Sequence, residues 1–198
     1  MEFKTEFLTR VAELFLEFGA KTLTMDEVAR EFGISKKTLY QRYRNKEALL
    51  EDVLHLKLQE IIDKMQQLDL EIDNAIDRML CRDEVIDKAV DSTNTVLIKQ
   101  LLRYYPSIFS THMQNFFEKF SDVLIHNIQR GRKQGFYRDD FDERIYSKFF
   151  FQLIMSYDSS TFVDVSEIER LEYQNGVMEF YLQAITTEKG KQYLKSII

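Results

Sequence analysis

The sequence predicts an all-α fold of about nine helices, with a three-helix N-terminal domain over 1–48 and a larger helical domain over 49–198. Three observations point there. The 198 residues include one proline, six glycines and no tryptophan, so little punctuates long helical stretches. Apolar residues recur three and four apart through most of the chain, the spacing of one helix face. Two helix-start signatures, at Thr24 and Ser35, lie close together around Gly33. With 44% hydrophobic residues the chain has enough apolar surface to bury a core.

The first helix is read from Phe3, Phe7, Leu8, Val11, Leu14, Phe15 and Phe18, which share one face, and Gly19 stops it. Thr24 then caps a second helix. Glu27 three residues later completes a capping box, and Leu23 staples onto Val28. Gly33 ends this short helix, and Ser35 caps the next at once, with Ile34 stapling onto Leu39. Caps this close predict a tight helix-turn-helix. Asn45 caps a fourth helix running through Ala48, Leu49, Val53 and Leu56 to about Met65.

Boundaries are harder to read beyond residue 70. Pro106 breaks a helix near Tyr104 and Tyr105, and Ile108 to about Arg132 reads as a long helix stopped by Gly135. Asp142–Tyr157 and Glu167–Ile185 read as two further helices around the polar stretch Asp158-Ser159-Ser160-Thr161. The carboxylates Asp139, Asp140, Asp142 and Glu143 read as a helix-start cluster.

A net charge of −6 argues against a polyanionic partner until its distribution is examined. Residues 1–46 carry nine basic and seven acidic side chains, whereas 47–198 carry 18 and 26. Phe32 to Lys46 holds Lys36, Lys37, Arg42, Arg44 and Lys46 and no acid. A basic island in an acidic chain is where a polyanion docks. If Leu39 and Tyr43 face inward on the third helix, then Lys36, Lys37, Tyr40, Gln41 and Arg44 face out. Cations and a phenol suit phosphates there, and glutamine or lysine reaches base edges.

Other chemistries have little to stand on. Cys81 is the only cysteine, which excludes an intrachain disulfide and a cysteine-built metal site; it is expected on a helix, partly buried. His55, His112 and His126 are isolated from one another and from carboxylates at ligand spacing. No phosphate-cradling glycine loop or nucleophile motif is present, so neither an enzyme nor a cofactor is expected. The N-terminus lacks an apolar leader, and no run of about 18 apolar residues spans a membrane. A cytoplasmic location is therefore expected.

The stretch from Leu23 to Leu49 resembles the DNA-binding signature of the tetracycline-repressor (TetR) family. The resemblance is carried by Ala29-x-x-x-Gly33-Ile34-Ser35, by Thr38-Leu39-Tyr40 and by Tyr43-x-x-Lys46-Glu47-x-Leu49, and it covers residues 6–50. Tyr43 stands where phenylalanine is commoner, and Lys37 where glycine or alanine is frequent. The resemblance implies that Lys36, Lys37, Tyr40 and Gln41 touch DNA, with Thr38 beside them. Thr24, Met25 and Ser35 would contribute from the two helix starts, and Tyr40 and Lys46 would clamp phosphates. It also implies a homodimer whose last two main helices pair across the two-fold axis, here through Ile145, Phe149, Ile154, Val177 and Tyr181. Two recognition helices would then read a double-stranded, pseudo-palindromic operator.

The larger domain holds 19 of the 26 Phe and Tyr residues, and aromatic helices suit an apolar ligand cavity. Leu101, Tyr104, Tyr105, Phe109, Phe116 and Phe120, around the Pro106 break, are the expected lining of a pocket for a small inducer. Two functions follow. One is a repressor released from DNA by a small apolar or aromatic molecule. The other is a DNA-bound dimeric adaptor that recruits a protein partner.

Overall fold

The computed structural model describes the backbone of residues 2–81, 83–89, 92–163 and 167–197, and within these the side chains of residues 2, 3, 88, 89 and 92–96 are not described. The chain is all-helical among the described residues, with eleven helices, nine of them seven residues or longer. In order they are α1 (Glu2–Phe18), α2 (Met25–Glu31), α3 (Lys36–Arg42), α4 (Lys46–Glu71), α5 (Ala75–Leu80) and α6 (Glu84–Ala89). Then follow α7 (Ser92–Tyr104), α8 (Pro106–Lys133), α9 (Glu143–Ser159), α10 (Arg170–Ile185) and α11 (Glu188–Ile197). They form two compact units, one of residues 1–61 and 89–116, the other of 62–88 and 117–198.

Local sequence explains the first unit. The capping box at Thr24 is complete: its hydroxyl accepts from the Glu27 N–H at 3.2 Å, and its own N–H donates to the Glu27 carboxylate at 2.7 Å. Ser35 accepts from the Thr38 N–H at 3.0 Å, and Asn45 accepts from the Ala48 N–H at 2.9 Å. Between the first two caps the chain reverses at Gly33, whose φ of +60° lies in the left-handed region that glycine enters without steric cost. Phe7, Leu8, Val11, Leu14 and Phe15 of α1 meet Val28, Ala29, Leu39, Leu49 and Leu50 in a single buried cluster. Tyr43 closes it, stacked on Phe7 at 6.1 Å, and burial, helped by nearby Asp52, pushes its phenol up to about 12. Phe18, expected on the buried face, is half exposed because it sits in the last turn, where α1 runs out of partners. The side chain of Phe3 lies outside the described residues.

In the second unit the fourth helix runs six residues past its expected end, to Glu71. Its last carbonyls are taken by side chains from elsewhere. Arg130 donates to the Ile72 and Asp69 carbonyls at 2.8 and 2.7 Å and to the Asp69 carboxylate at 2.9 Å. Arg78 donates to the Met65 carbonyl and Gln134 to that of Asp73. Buried Asn127 and Tyr137 both donate to the Ala75 carbonyl. Against this frame pack Leu124, Ile128, Phe150, Val177, Tyr181, Leu182 and Ile185. Asp142 caps α9, α10 starts at Arg170 rather than Glu167, and the short helix α11 is one that apolar periodicity did not mark. Cys81 follows the last residue of α5 as its C-cap and is partly buried.

Candidate nucleic-acid interface

Burial of Leu39, which is wholly shielded from solvent, sets the rotation of α3. A helix that turns Leu39 inward must turn the positions between its apolar contacts outward, and Lys36, Lys37, Tyr40 and Gln41 are exposed, as is Arg44 just beyond. Tyr40, 48% exposed, is a large aromatic side chain that the protomer itself does not bury. Lys36 pairs with Asp26 of α2, which ties the two short helices together and leaves Lys37 as the more available charge. The Ser35 and Thr38 hydroxyls lie 2.8 Å apart at the start of α3.

Two of the expected contact residues are placed differently from the rest. The Met25 side chain is 6% exposed and belongs to the same core cluster as the apolar face of α1. Lys46 is partly buried. Its ammonium donates to the Lys21 carbonyl at 2.9 Å and lies 5.9 Å from the Tyr105 ring, and burial lowers its pKa, opposed by Glu47 and Glu27.

Residues 8–53 match the sequence profile of bacterial regulatory proteins, tetR family. That segment, which holds α2 and α3, is similar to the DNA-binding part of the tetR family. No curated protein matches it in sequence. Among solved structures it is similar to reduced NemR of E. coli, with a TM-score of 0.74 at 13% identity, covering 94% of this chain and 98% of that one. It is also similar to SmeT, the repressor of the Stenotrophomonas maltophilia multidrug efflux pump SmeDEF (TM-score 0.71, 16% identity, 93% and 91% covered). A third is the regulator FadR of Bacillus subtilis in complex with stearoyl-CoA (0.69, 17%, 89% and 96%). At these identities the likeness shows the shared fold. Among the described residues no helix is long and apolar enough to cross a membrane.

The expected pocket residues are divided between the two units. Leu101, Tyr105 and Phe109 pack in the core of the first unit. Tyr104 is 38% exposed beneath the Lys21 ammonium, 4.5 Å away. Phe116 is partly buried in the same unit. Phe120 belongs to the second unit, stacked on Phe150 and tilted against Phe151.

The expected dimer residues divide as well. Ile145 and Phe149 of α9 are 48% and 54% exposed, and Ile154 is partly buried. Val177 and Tyr181, four apart on α10, point into the protomer's own core at 7% and 2% exposure. The exposed aromatic on α10 is Phe180, at 65%, one position out of phase with them. Phe180 lines an open hollow of about 320 Å³ with Leu153, Tyr173 and Gly176. A phase count along α10 that took its inward face from Leu182 and Ile185 would have found it.

Proposed function

We propose that this chain is a ligand-responsive repressor that binds a pseudo-palindromic operator as a homodimer and leaves it when a small apolar or aromatic molecule binds. The observation that carries the DNA side of this reading is the face of α3. With Leu39 buried, Lys37, Tyr40 and Gln41 stand out together in a locally basic segment of an acidic protein. Lys37 and Tyr40 neutralise and hydrogen-bond phosphates, joined by the Thr24, Ser35, Lys36 and Thr38 side chains, and Gln41 reaches base edges. Exposed Ile145, Phe149 and Phe180 supply the apolar surface for the second protomer. Two neighbours support regulation by this fold: SmeT is named a repressor, and FadR was solved with stearoyl-CoA.

The test is fluorescence anisotropy on the DNA upstream of the protein's own gene, against scrambled DNA, across a salt series. Tight binding to the upstream fragment alone, with a steep salt slope, supports the reading; weak and equal binding to both sinks it. Lys37→Ala lowers the log–log salt slope by about 1 and weakens binding to every sequence, whereas Gln41→Ala relaxes discrimination between sequences. Equal losses on operator and scrambled DNA for Gln41→Ala contradict its assignment as a base reader.

A further inference from the structure

The loop that joins α1 to α2 is gripped from three directions within the first unit. The chain turns at Gly19, with φ of +84°. The Gln100 carboxamide of α7 occupies the space beside it, its Nε2 and Oε1 only 2.6 and 2.7 Å from where a β-carbon on Gly19 would stand. Gln100 Oε1 accepts the Lys21 N–H at 3.1 Å. The Tyr105 hydroxyl, at the junction of α7 and α8, donates to the Ala20 carbonyl at 3.3 Å. Lys46, the first residue of α4, donates to the Lys21 carbonyl at 2.9 Å. The Lys21 side chain reaches back over Tyr104, its ammonium 3.4 Å from the hydroxyl.

Side chains from outside the loop thus hold the Ala20 carbonyl and both polar groups of the Lys21 backbone. Three residues further on, Thr24 caps α2, so the direction in which α2 and α3 leave the loop depends on this grip as well as on the apolar core. Lys46 is the informative member. Its ammonium gives one N–H to the Lys21 carbonyl and lies 5.9 Å from the Tyr105 ring, so it ties the start of α4 both to the loop and to the junction of α7 and α8.

We propose that Gln100, Tyr105 and Lys46 are positioning residues of the DNA reader, and that Lys46 is an internal strut rather than a phosphate contact. The proposal rests on the DNA-binding reading above. Neutralising Lys46 then weakens operator binding without removing a released counterion, so affinity falls while the salt slope stays.

The experiment uses the full chain and the duplex that wild-type protein binds best. Lys46→Met and Tyr105→Phe each reduce operator affinity about 3- to 10-fold, the effect of losing one hydrogen bond, with the salt slope unchanged. Gln100→Ala does the same, and Gln100→Glu, which keeps an acceptor for the Lys21 N–H, restores most of the loss. Without DNA, hydrogen exchange at the Lys21 amide quickens in Gln100→Ala and not in Gln100→Glu. A salt slope reduced by about 1 in Lys46→Met makes Lys46 a phosphate contact and overturns the strut. Unchanged affinity together with unchanged exchange in Gln100→Ala overturns the grip. If wild-type protein prefers no duplex, the functional reading fails, while the exchange measurement still decides whether the grip exists.

Discussion

The DNA reader and the second unit close off their helices in different ways. In the reader the N-termini are capped by side chains three residues away, Thr24 with Glu27, Ser35 with Thr38 and Asn45 with Ala48, and the interior is an apolar cluster. In the second unit Asn74 and Asp142 cap locally too, but the end of α4 depends on Arg78, Arg130 and Gln134, up to 61 residues away in sequence. Asn127 and Tyr137 add buried hydrogen bonds to the Ala75 carbonyl. Apart from the hold that Gln100 and Tyr105 keep on the α1–α2 loop, the reader's helix starts are set locally, and its outer face is free to change with the sequence it must read. The second unit's shape is a property of distant pairings, each of which needs its partner in place.

Four substitutions test that contrast, taken from the largest effect to the smallest. Leu39→Ala opens a cavity in the reader's core and destabilises the protein by roughly 2–5 kcal/mol in urea unfolding, with loss of DNA binding. A change under 1 kcal/mol means that the reader is not held by its apolar cluster. Asn127→Ala strips the Ala75 carbonyl of one donor in the interior of the second unit and costs about 1–3 kcal/mol by the same measurement. A neutral result there erases the distinction between the two regions. Ser35→Ala removes one local cap and costs about 1 kcal/mol, and combined with Asn127→Ala the two losses add, since the sites share no partner.

The fourth test is a titration. The Glu27 carboxyl lies below its ordinary value of 4.5 because the Thr24 hydroxyl and N–H donate to it, and Glu143 lies below 4.5 because Arg132 does. A depressed carboxylate contributes stability that is complete above the ordinary value and drains as pH falls through the folded-state value. Both contributions are thus intact at neutral pH and lost in acid. Thr24→Val returns Glu27 toward 4.5 in a carboxyl NMR titration and leaves Glu143 where it was. A Glu143 shift in that variant is the result that contradicts independent, local capping.

How far each region could be read in advance follows the same line. Thr24, Glu27, Gly33, Ser35 and Asn45 announce themselves, because the bonds they make span three residues and a pattern that short is visible in the chain. The break at Pro106 was equally plain. The short helices α5 and α6 and the final α11 were not, since no long apolar period marks them. Tyr104 and Tyr105 looked like pocket lining because aromatics near a helix break suit one. Their partners, Lys21 and Ala20, lie more than 80 residues away, and no spacing rule connects them.

The sequence alone determined the helical class, the position and caps of the helix-turn-helix, and the residues that α3 turns outward once Leu39 is inside. Those follow from backbone geometry and from contacts within one or two turns. Only the tertiary structure decided that Met25 faces inward, that Lys46 holds the Lys21 carbonyl, that Val177 and Tyr181 fill the protomer's own core while Phe180 stays outside, and that Gln100 packs on Gly19. Each of these is a choice among partners distant in the chain, settled by which side chains fill the space and which buried polar groups must be satisfied.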